Sequence, residues 1–326
     1  MLTIAMLSRW HVHAPEYAKQ LTETPDCKLT AVWNEDAAAG RAWADELQCA
    51  YVDTMDAVLR DPAIQAVVVN APTNTHTDMI IKACDAGKAV FTEKVLTPTL
   101  EEAHLIAQAI KRNHTCFGIS FPHKCNPEIR KAKEYIDAGK LGQITYARVR
   151  NVHDGAIAGW LPEHFYSAEQ CCGGAMIDLG AHPMYTLAWL LGRPQSVQSA
   201  FTNVTGHAVE DNAVSLLTFP GGVLGVSETG FVSKGNPYTL EVSGTKGCLM
   251  IHNGLQVNLG DGWHMDTDLQ PKPESPLRQW VHACNTGAEI PEFDISQALL
   301  LSEMMERAYE SSRTGRAVSF PEMHSL

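Results

Sequence analysis

The chain has 326 residues, 45% of them hydrophobic and 19% charged, which is the composition of an ordinary globular protein with room for two domains. Its formal net charge of -12, with no basic cluster, excludes nucleic acid as the expected partner and favours small molecules. We expect a cytoplasmic protein with no membrane partner, because the sequence has no signal-peptide pattern and no apolar run near the ~18 residues of a membrane span. We expect its nine cysteines to be reduced thiols, because they contain no CxxC pair.

Short apolar runs alternate with helical patterns over residues 1–121, and this alternation predicts a doubly wound parallel sheet covered by helices. The run Ala66-Val67-Val68-Val69 is continuous and β-branched, as in a strand that is buried on both faces. Ligands of such sheets bind beyond the carboxyl ends of the strands, so the loops at those ends are the candidate binding segments. The expected strands cover residues 2–7, 29–33, 66–70, 89–91 and 116–120.

The loop after the first strand runs from Ser8 to His13 and contains none of the glycines of the G-x-G-x-x-G pattern of dinucleotide folds. Without them the backbone approaches a pyrophosphate less closely, although a helix N-terminus with Ser8 and Arg9 still offers an anion site. After the second strand comes Asn34, at the position of the usual ribose-binding acid, followed by Glu35. That carboxylate would repel a 2′-phosphate and therefore favours NAD, with NADP as the alternative. The alternative interpretation is a helix cap at Asn34 or Asp36, and the two roles are compatible.

Two further loops carry polar side chains at strand ends. One extends from Asn70 to His76, and the other begins with Glu93-Lys94. A lysine at the end of a buried strand reaches into the crevice above the sheet, whereas a solvated surface lysine is the alternative interpretation. The candidate cofactor-binding residues are Ser8, Arg9, Trp10, His11, Asn34, Glu35, Pro72, Asn74, His76, Glu93 and Lys94.

Residues 122–326 have a different pattern and predict a second, α+β domain with a large, mainly antiparallel sheet. A helix begins at Asn126-Pro127, and the apolar stretch 174–191 predicts one buried helix that covers one face of the sheet. The other face is then available to a second subunit, so we expect a homodimer or homotetramer. The expected strands cover residues 144–151, 196–204, 213–219, 223–231, 238–243 and 248–251, and further helices cover residues 277–285 and 295–314.

Asp178 and His182 stand four residues apart within that buried helical stretch. Residues at this spacing share one face of a helix, so the pair has the composition and geometry of an acid–base site. The alternative is a core histidine with a structural hydrogen-bond partner.

With these elements in place, the chain resembles the Gfo/Idh/MocA family of NAD(P)-dependent oxidoreductases over almost its whole length. The family's T-P-N-x-x-H loop is matched by Pro72, Asn74 and His76, its E-K-P motif by Glu93 and Lys94, and its basic-x-N-P element by Lys124, Asn126 and Pro127. The G-G-x-x-x-D-x-G-x-H element is matched by Gly173, Gly174, Asp178, Gly180 and His182, and a common sheet turn by residues 244–247.

The resemblance implies reversible hydride transfer between nicotinamide and a secondary alcohol carbon of a sugar or polyol. It makes Lys94, Asp178 and His182 the candidate catalytic residues, with His182 accepting the hydroxyl proton and Lys94 stabilising charge on the reacting oxygen. It also implies a dinucleotide-binding domain over residues 1–121 and a substrate-binding and oligomerisation domain over residues 122–326. The candidate substrate-binding residues are Lys124, His153, Asp154, Trp160, His164 and Asp178, with an interdomain loop as the alternative for residues 153–164.

Two positions depart from the family pattern. Val95 replaces the proline that follows the lysine, and because a non-proline cis bond costs ~2.5–4 kcal/mol, we expect a trans bond at Lys94-Val95. Lys124-Cys125 stands where Arg-Phe is frequent, which exchanges a bidentate contact for a point charge.

Two other classes of function compete with a dehydrogenase. Fourteen histidines, including His11 and His13, are compatible with a metal-dependent sugar hydrolase or isomerase, but no HExxH or His-x-x-x-His pattern lies on a predicted helix, so no metal site is expected. The missing glycines are compatible with a non-catalytic dinucleotide or sugar sensor, whereas the presence of Lys94, Asp178 and His182 together favours an enzyme.

Overall fold

Strands and helices alternate along the first 121 residues of the computed structural model, which describes residues 1–235 and 237–321. A 3₁₀ helix at Thr73–Thr75 precedes the fourth α-helix. The elements are β1 (Leu2–Leu7), α1 (Ala14–Glu23), β2 (Cys27–Trp33), α2 (Ala37–Leu47), β3 (Ala50–Tyr51), α3 (Met55–Arg60), β4 (Ala66–Val69), α4 (His76–Asp85), β5 (Ala89–Thr92), α5 (Leu100–Asn113) and β6 (Phe117–Ile119).

The elements of the remaining described residues alternate less regularly. Three further 3₁₀ helices lie at Pro122–Cys125, Glu163–Tyr166 and Pro220–Gly222. The elements are α6 (Pro127–Asp137), β7 (Ile144–Val152), α7 (Gly155–Ala158), α8 (Ala168–Cys171), α9 (Ala175–Asp178), α10 (Ala181–Leu191), β8 (Ser196–Thr202), β9 (Asn212–Phe219), β10 (Val223–Gly230), β11 (Tyr238–Gly244), β12 (Cys248–Ile251), β13 (Leu255–Asn258), β14 (His264–Met265), α11 (Pro276–Thr286), α12 (Ile295–Thr314) and β15 (Val318–Ser319).

The first sheet is parallel throughout, with strand order β3-β2-β1-β4-β5-β6. The order reverses at β1 and β4, so the loops after these two strands lie side by side at the carboxyl edge, where doubly wound sheets bind ligands. All four residues of β4 are buried, as its continuous β-branched run predicts. The predicted Rossmann-type parallel sheet is confirmed, and the predicted strands agree with the observed ones to within two residues at each end.

The core on one face of this sheet includes a helix from near the end of the chain. Leu277, Trp280 and Val281 of α11 are buried with Ile4 and Val68 in one apolar cluster. The chain accordingly divides into a first unit of Met1–Phe121 with Glu274–Ser302 and a second unit of Pro122–Pro273 with Glu303–Leu326. This division differs from the contiguous ranges expected from the sequence. The apolar face of α11 completes the core of the first unit, although residues 122–273 separate it from the rest of that unit in sequence.

The second sheet has nine strands in the order β14-β13-β12-β11-β7-β10-β9-β8-β15. Neighbouring strands are antiparallel except β7 and β10, which are parallel, so the predicted mainly antiparallel sheet is confirmed. Its short strands β13, β14 and β15, of which β14 and β15 form the two edges, were not predicted. The turn between β11 and β12 is closed by a hydrogen bond of 2.8 Å from Gly244 N–H to the Gly247 carbonyl.

One face of the second sheet is packed against a helix, and the other face carries exposed apolar side chains. Helix α10 packs against β7 and β10 on one face, where Ala147 and Val149 are buried. On the other face Val214, Leu216 and Leu224 are each more than 40% exposed. Within the described part of the chain, no helix is both long and apolar enough to cross a membrane.

The single helix expected over residues 174–191 is wrong, because the structure divides it into α9 and α10. The N–H groups of Leu179 and Gly180 both donate to the Ala175 carbonyl, which closes α9, and α10 begins after Gly180. A Cβ on Gly180 would lie 2.5 Å from the Met176 carbonyl oxygen, so this turn requires glycine. The break redirects the chain between Asp178 and His182.

Candidate active site

Ser8 gives the first strand-end loop a conformation that glycine normally supplies. Its φ is +72°, in the left-handed region, and its N–H donates to the Trp33 carbonyl at 2.8 Å. The Ser8 hydroxyl donates to Glu35 Oε2 at 2.8 Å and accepts from Trp10 N–H at 3.1 Å. The serine side chain thereby holds a tight turn that a dinucleotide fold usually builds from glycine.

Several N–H groups of the same loop already have partners within the first unit. Arg9 N–H donates to Asn34 Oδ1 at 2.8 Å, and His11 N–H donates to the Asn70 carbonyl at 3.0 Å. Asn34 therefore supports the loop, and its own amide donates to the Asp36 carbonyl. The Arg9 side chain is exposed and lies 3.5 Å from Glu46. Because these backbone N–H groups are already hydrogen-bonded, side chains of this loop are better placed to contact an anion than the backbone donors that a glycine-rich loop presents.

Glu93 is the centre of a buried polar network beneath this loop. It is 1% exposed; its Oε1 accepts from the Tyr17 hydroxyl and from His13 Nδ1 at 2.9 Å, and its Oε2 accepts from Lys94 N–H at 3.0 Å. His11 Nδ1 lies 3.9 Å from the same carboxylate. Burial by itself would raise the pKa of Glu93, but the neighbouring His11 and His13, the hydrogen bond from His13 and the charge on Lys94 outweigh it, so the pKa lies well below its usual value.

The same three side chains have the composition of a metal site. One ligand atom from each of His11, His13 and Glu93 lies within 4.8 Å of the others. The hydrogen bonds to both carboxylate oxygens account for the geometry of the cluster as a charged network. His13, which the sequence suggested only as a ligand in the metal-dependent alternative, is the half-exposed member of this network.

Lys94 lies directly after β5 and is 5% exposed, so it is a buried side chain at the carboxyl edge of the sheet rather than a solvated one. The expected trans bond between Lys94 and Val95 is wrong: this peptide bond is cis. The surrounding contacts hold the segment on both sides. Glu93 binds the Lys94 N–H, while the carbonyls of Val95 and Leu96 accept from His76 Nδ1 at 3.2 and 3.0 Å.

The other predicted residues of the central loop take different positions. His76 is 1% exposed, and its Nε2 faces the Ala71 carbonyl at 3.0 Å. Burial lowers the pKa of His76 against the opposing effect of the facing carbonyls, and the hydrogen bonds from Nδ1 tie the start of α4 to the loop after β5. Pro72 is buried at the start of the Thr73–Thr75 turn, and Asn74 is exposed within it. Pro72 and His76 therefore shape the crevice, and Asn74 faces solvent.

His182 is the best-defined candidate in the second unit. It is 6% exposed, and its Nδ1 lies 2.8 Å from the hydroxyl of Tyr185, one turn later on α10. The Tyr185 oxygen also accepts from His123 N–H at 3.1 Å, and the His123 ring stacks on the His182 ring with centroids 4.5 Å apart. Tyr185 is not among the residues predicted from the sequence, although its spacing of three residues from His182 on a helix indicates such a contact.

Asp178 is the last residue of α9 and is partly exposed. The start of α9 is fixed by Glu210, whose carboxylate accepts from Gly174 N–H at 2.9 Å, from Met176 N–H at 3.0 Å and from the Tyr309 hydroxyl at 2.6 Å. A carboxylate at a helix N-terminus is favourable for the helix dipole as well as for the N–H groups. No sequence pattern near residue 174 indicates a cap from residue 210.

The polar segment between β7 and α9 forms a small aromatic cluster. The His153 ring stacks on Phe231 with centroids 4.9 Å apart and lies 4.6 Å from the Trp160 ring. Asp154 accepts from Trp160 Nε1 at 3.1 Å, and Trp160 remains 55% exposed. An exposed indole beside a carboxylate and an imidazole is a suitable surface for a sugar ring. His164 lies on the Glu163–Tyr166 turn and is only partly exposed.

Lys124, the remaining predicted substrate contact, is 1% exposed on the Pro122–Cys125 turn. Its Nζ lies 6.0 Å from the ring of Trp189 on α10, and its carbonyl accepts from Arg130 at 3.0 Å. The Arg130 guanidinium lies 5.6 Å from the same indole. Lys124 thus contributes to packing between the start of α6 and α10 through cation–π contacts.

The comparisons with known proteins agree with this geometry. Residues 11–121 match a family model described as an oxidoreductase family with an NAD-binding Rossmann fold, and residues 129–250 match the GFO/IDH/MocA C-terminal domain. A scyllo-inositol 2-dehydrogenase (NAD(+)) of Bacillus subtilis is 32% identical over 72% of this chain and 69% of its own. The chain belongs to the Gfo/Idh/MocA oxidoreductase family. As a member, it is an oxidoreductase with an NAD-binding Rossmann fold.

Two further similarities extend over nearly the whole chain. An inositol 2-dehydrogenase of Rhizobium meliloti is 27% identical over 91% of this chain and 94% of its own. The structure of an aldose-aldose oxidoreductase from Caulobacter crescentus superimposes with a TM-score of 0.86 at 19% identity, covering 98% of this chain and 99% of the other. At that identity the superposition establishes the shared fold.

The residues at the carboxyl edge of the first sheet fit NAD. Asn70, immediately after β4, is fully buried, and neither its side-chain oxygen nor its nitrogen has a hydrogen-bond partner among the described residues. The Asn70 side-chain amide can therefore donate a hydrogen bond to, and accept one from, a polar group of a ligand at this edge of the sheet. Glu35 is exposed at the end of β2, and a carboxylate there suits the ribose hydroxyls of the cofactor.

Proposed function

We propose that the protein is an NAD-dependent dehydrogenase of a sugar, polyol or sugar derivative, acting reversibly at a secondary alcohol carbon. The observation that carries the proposal is the buried imidazole of His182, held through Nδ1 by Tyr185 at 2.8 Å. An imidazole fixed at one nitrogen has a defined second nitrogen for proton transfer. The names of the similar inositol dehydrogenases support the substrate class.

Bound NAD supplies the hydride acceptor for this reaction. We assign its adenosine ribose to Glu35, supported by Asn34 and Ser8, and its remaining polar groups to the side chains at the ends of β1, β4 and β5. Arg9, Trp10 and His11 belong to the first of these loops, Pro72, Asn74 and His76 to the second, and Glu93 and Lys94 to the third. Glu35 disfavours the 2′-phosphate of NADP through like-charge repulsion.

His182 takes the hydroxyl proton of the substrate in this proposal. When its Nδ1–H donates to the Tyr185 oxygen, Nε2 carries the lone pair and is the base. Tyr185 is therefore a positioning residue in this proposal, because its oxygen accepts from Nδ1 and leaves Nε2 to accept the proton. Asp178 binds the substrate or orients the imidazole, and Lys94 donates a hydrogen bond to the reacting oxygen, which stabilises the negative charge developing there.

We assign recognition of the sugar or polyol ring to the segment containing His153, Asp154, Trp160 and His164, together with Lys124 and Asp178. The exposed Trp160 indole offers an apolar face, and the Asp154 carboxylate accepts hydrogen bonds from hydroxyl groups. In this proposal, residues 1–121 supply the dinucleotide-binding domain and residues 122–326 the substrate-binding domain, with α11 completing the core of the first unit.

We also propose that the protein is a cytoplasmic homodimer or homotetramer. The exposed apolar side chains Val214, Leu216 and Leu224 lie together on adjacent strands β9 and β10, and such a patch favours burial against a second copy. Arg148 and Glu228, 2.7 Å apart on the same face, add charged groups for specificity. All nine cysteines are free thiols, as is usual in a reducing compartment.

A titration with NADH and separately with NADPH, followed by energy transfer from tryptophan to nicotinamide, tests the proposed cofactor. We expect micromolar binding of NADH and much weaker binding of NADPH. The ratio of the two dissociation constants should be smaller in Glu35→Gln than in the wild type. Glu16→Gln, an exposed change on α1, serves as the control. Failure of both nucleotides to bind would refute the dehydrogenase and favour a sensor; equal binding of both would refute only the role of Glu35.

A further inference from the structure

Two cysteines that are distant in sequence meet within the first unit. Cys116 immediately precedes β6, and Cys284 lies in the last turn of α11. Their sulfur atoms are 3.2 Å apart although the residues are 168 positions apart in the chain. Both residues are half-buried, and both thiols are free.

The segments that carry the two thiols are already fixed against each other. Trp280, one turn before Cys284 on α11, is fully buried and its Nε1 donates to the Cys116 carbonyl at 3.2 Å. The same indole packs so closely on β6 that a Cβ at Gly118 would lie 2.9 Å from it. A disulfide requires the sulfurs to approach from 3.2 Å to about 2.05 Å, a small further approach of two side chains whose backbone segments these contacts already hold together.

The pair also has the electrostatic asymmetry of a reactive dithiol. The Cys284 S–H donates to Cys116, which lowers the pKa of the Cys116 thiol and raises the pKa of the Cys284 thiol. Cys27 differs from this pair, because burial raises its pKa to about 11. Cys116 and Cys284 line one cavity of about 250 Å³, together with Lys88 and His114, which gives a small oxidant access to both sulfurs.

We propose that Cys116 and Cys284 form a reversible intrachain disulfide when the protein meets a low-molecular-weight disulfide such as oxidised glutathione. The Cys116 thiolate attacks one sulfur of the oxidant, forming a mixed disulfide and releasing one glutathione thiolate, which takes up a proton. Cys284 then loses its proton and attacks the Cys116 sulfur, which forms the intrachain bond and releases the second glutathione. The two protein thiols are oxidised and one glutathione disulfide is reduced, so atoms and electrons balance.

The experiment equilibrates the purified full-length protein with graded ratios of oxidised to reduced glutathione, blocks free thiols with an alkylating agent and maps the peptides by mass spectrometry. We expect a linked Cys116–Cys284 peptide that increases with the oxidised fraction and disappears on reduction. Cys116→Ser and Cys284→Ser should each abolish the linked peptide. Cys248→Ser, a half-buried cysteine on β12, is the matched control and should leave it unchanged.

A second measurement detects the link through thermal unfolding. Because the bond would join residues 168 positions apart, the oxidised wild type should unfold at a temperature several degrees above the reduced protein, and neither serine variant should show this difference. Two results would overturn the proposal: both thiols remaining fully alkylated in oxidised glutathione, or separate glutathione adducts without a linked peptide. Neither result depends on NAD or on any substrate.

Discussion

At the scale of single residues, the Tyr185 hydroxyl determines how His182 is oriented. In the proposed mechanism the Tyr185 oxygen accepts from His182 Nδ1 and from the backbone N–H of His123, and these two hydrogen bonds hold the imidazole in one orientation. We expect Tyr185→Phe to lower kcat about tenfold, the effect of one ordinary hydrogen bond, with little change in KM. The pH profile of kcat should shift with it, because the tautomer of His182 is no longer selected.

Nitrogen NMR of the imidazole, recorded on protein labelled in histidine, provides a readout that does not depend on turnover. In the wild type the His182 signals should show a proton on Nδ1, and in Tyr185→Phe a mixture of tautomers. Tyr146→Phe on β7 is the control, because Tyr146 lies on the opposite face of the sheet from α10. Unchanged kcat and unchanged nitrogen shifts in Tyr185→Phe would contradict the assigned role.

Glu93 is the residue whose charge contributes most clearly to stability. Its folded pKa is depressed, so its stabilising contribution is present above the unfolded value near 4.5 and is lost as the pH falls through the folded pKa. Glu93→Gln should lower the free energy of unfolding by about 3 kcal/mol at pH 7, because His11 and His13 lose a buried partner.

Urea unfolding of Glu93→Gln and wild type at neutral pH and again below pH 4.5 measures this effect. The difference between the two proteins should shrink at the lower pH, because Glu93 of the unfolded wild type takes up a proton there while the folded carboxylate stays charged. Glu16→Gln, which changes an exposed carboxylate on α1, should have little effect at either pH. A Glu93→Gln difference that stays constant with pH would argue for lost packing in place of lost charge.

At the scale of elements, the start of α9 depends on a glycine that no side chain can replace. A Cβ on Gly174 would lie 2.0 Å from the Glu210 carbonyl oxygen. We expect Gly174→Ala to destabilise the protein by on the order of 3 kcal/mol and to lower activity, because the capped end of α9 must move. Gly139→Ala is the comparison: it strains only a positive φ of +65°, with nothing within 4 Å, and should cost about 1 kcal/mol. The free energy of unfolding of both variants is measured by chemical unfolding. Equal losses in the two variants would show that the structure relieves the close contact at Gly174 with little loss of stability.

The elements that were predicted well are those whose signal is local. The buried run of β4 and the alternating strands of the second sheet carry their periodicity in a few adjacent residues. The break between α9 and α10 was missed because Gly180 interrupts an apolar pattern that continues on both sides. Short edge strands such as β14 form only through pairing with a neighbouring strand, and two residues are too few to show a strand pattern in the sequence.

The candidate residues show the same division. Lys94 was identified from its position at a strand end and His182 from its match to a family motif, whereas the helical spacing of Asp178 and His182 is interrupted by the break between α9 and α10. Tyr185 and Glu210 act on residues already identified, and Glu210 reaches Gly174 across 36 positions of sequence. Ser8 adopts a glycine-like φ of +72°, so the absence of glycine did not imply the absence of the turn.

At the scale of the whole molecule, the two units supply different groups. The first has the parallel sheet of the NAD-binding family and a loop held by side chains, and the second has the buried His182 on a helix against a nine-stranded sheet. If both contribute to one reaction, removing the proposed acid–base groups should abolish turnover while leaving each fold intact.

The most direct test is the reduction of NAD by the purified protein with a panel of inositols, other polyols and aldoses, measured through the absorbance of the reduced nicotinamide. We expect the wild type to turn over at least one of these substrates. Lys94→Ala and His182→Ala should each lower kcat by about a hundredfold or more while unfolding within a few degrees of the wild type. No turnover by a wild type that binds NADH, or equal losses of thermal stability and activity in both variants, would contradict the account.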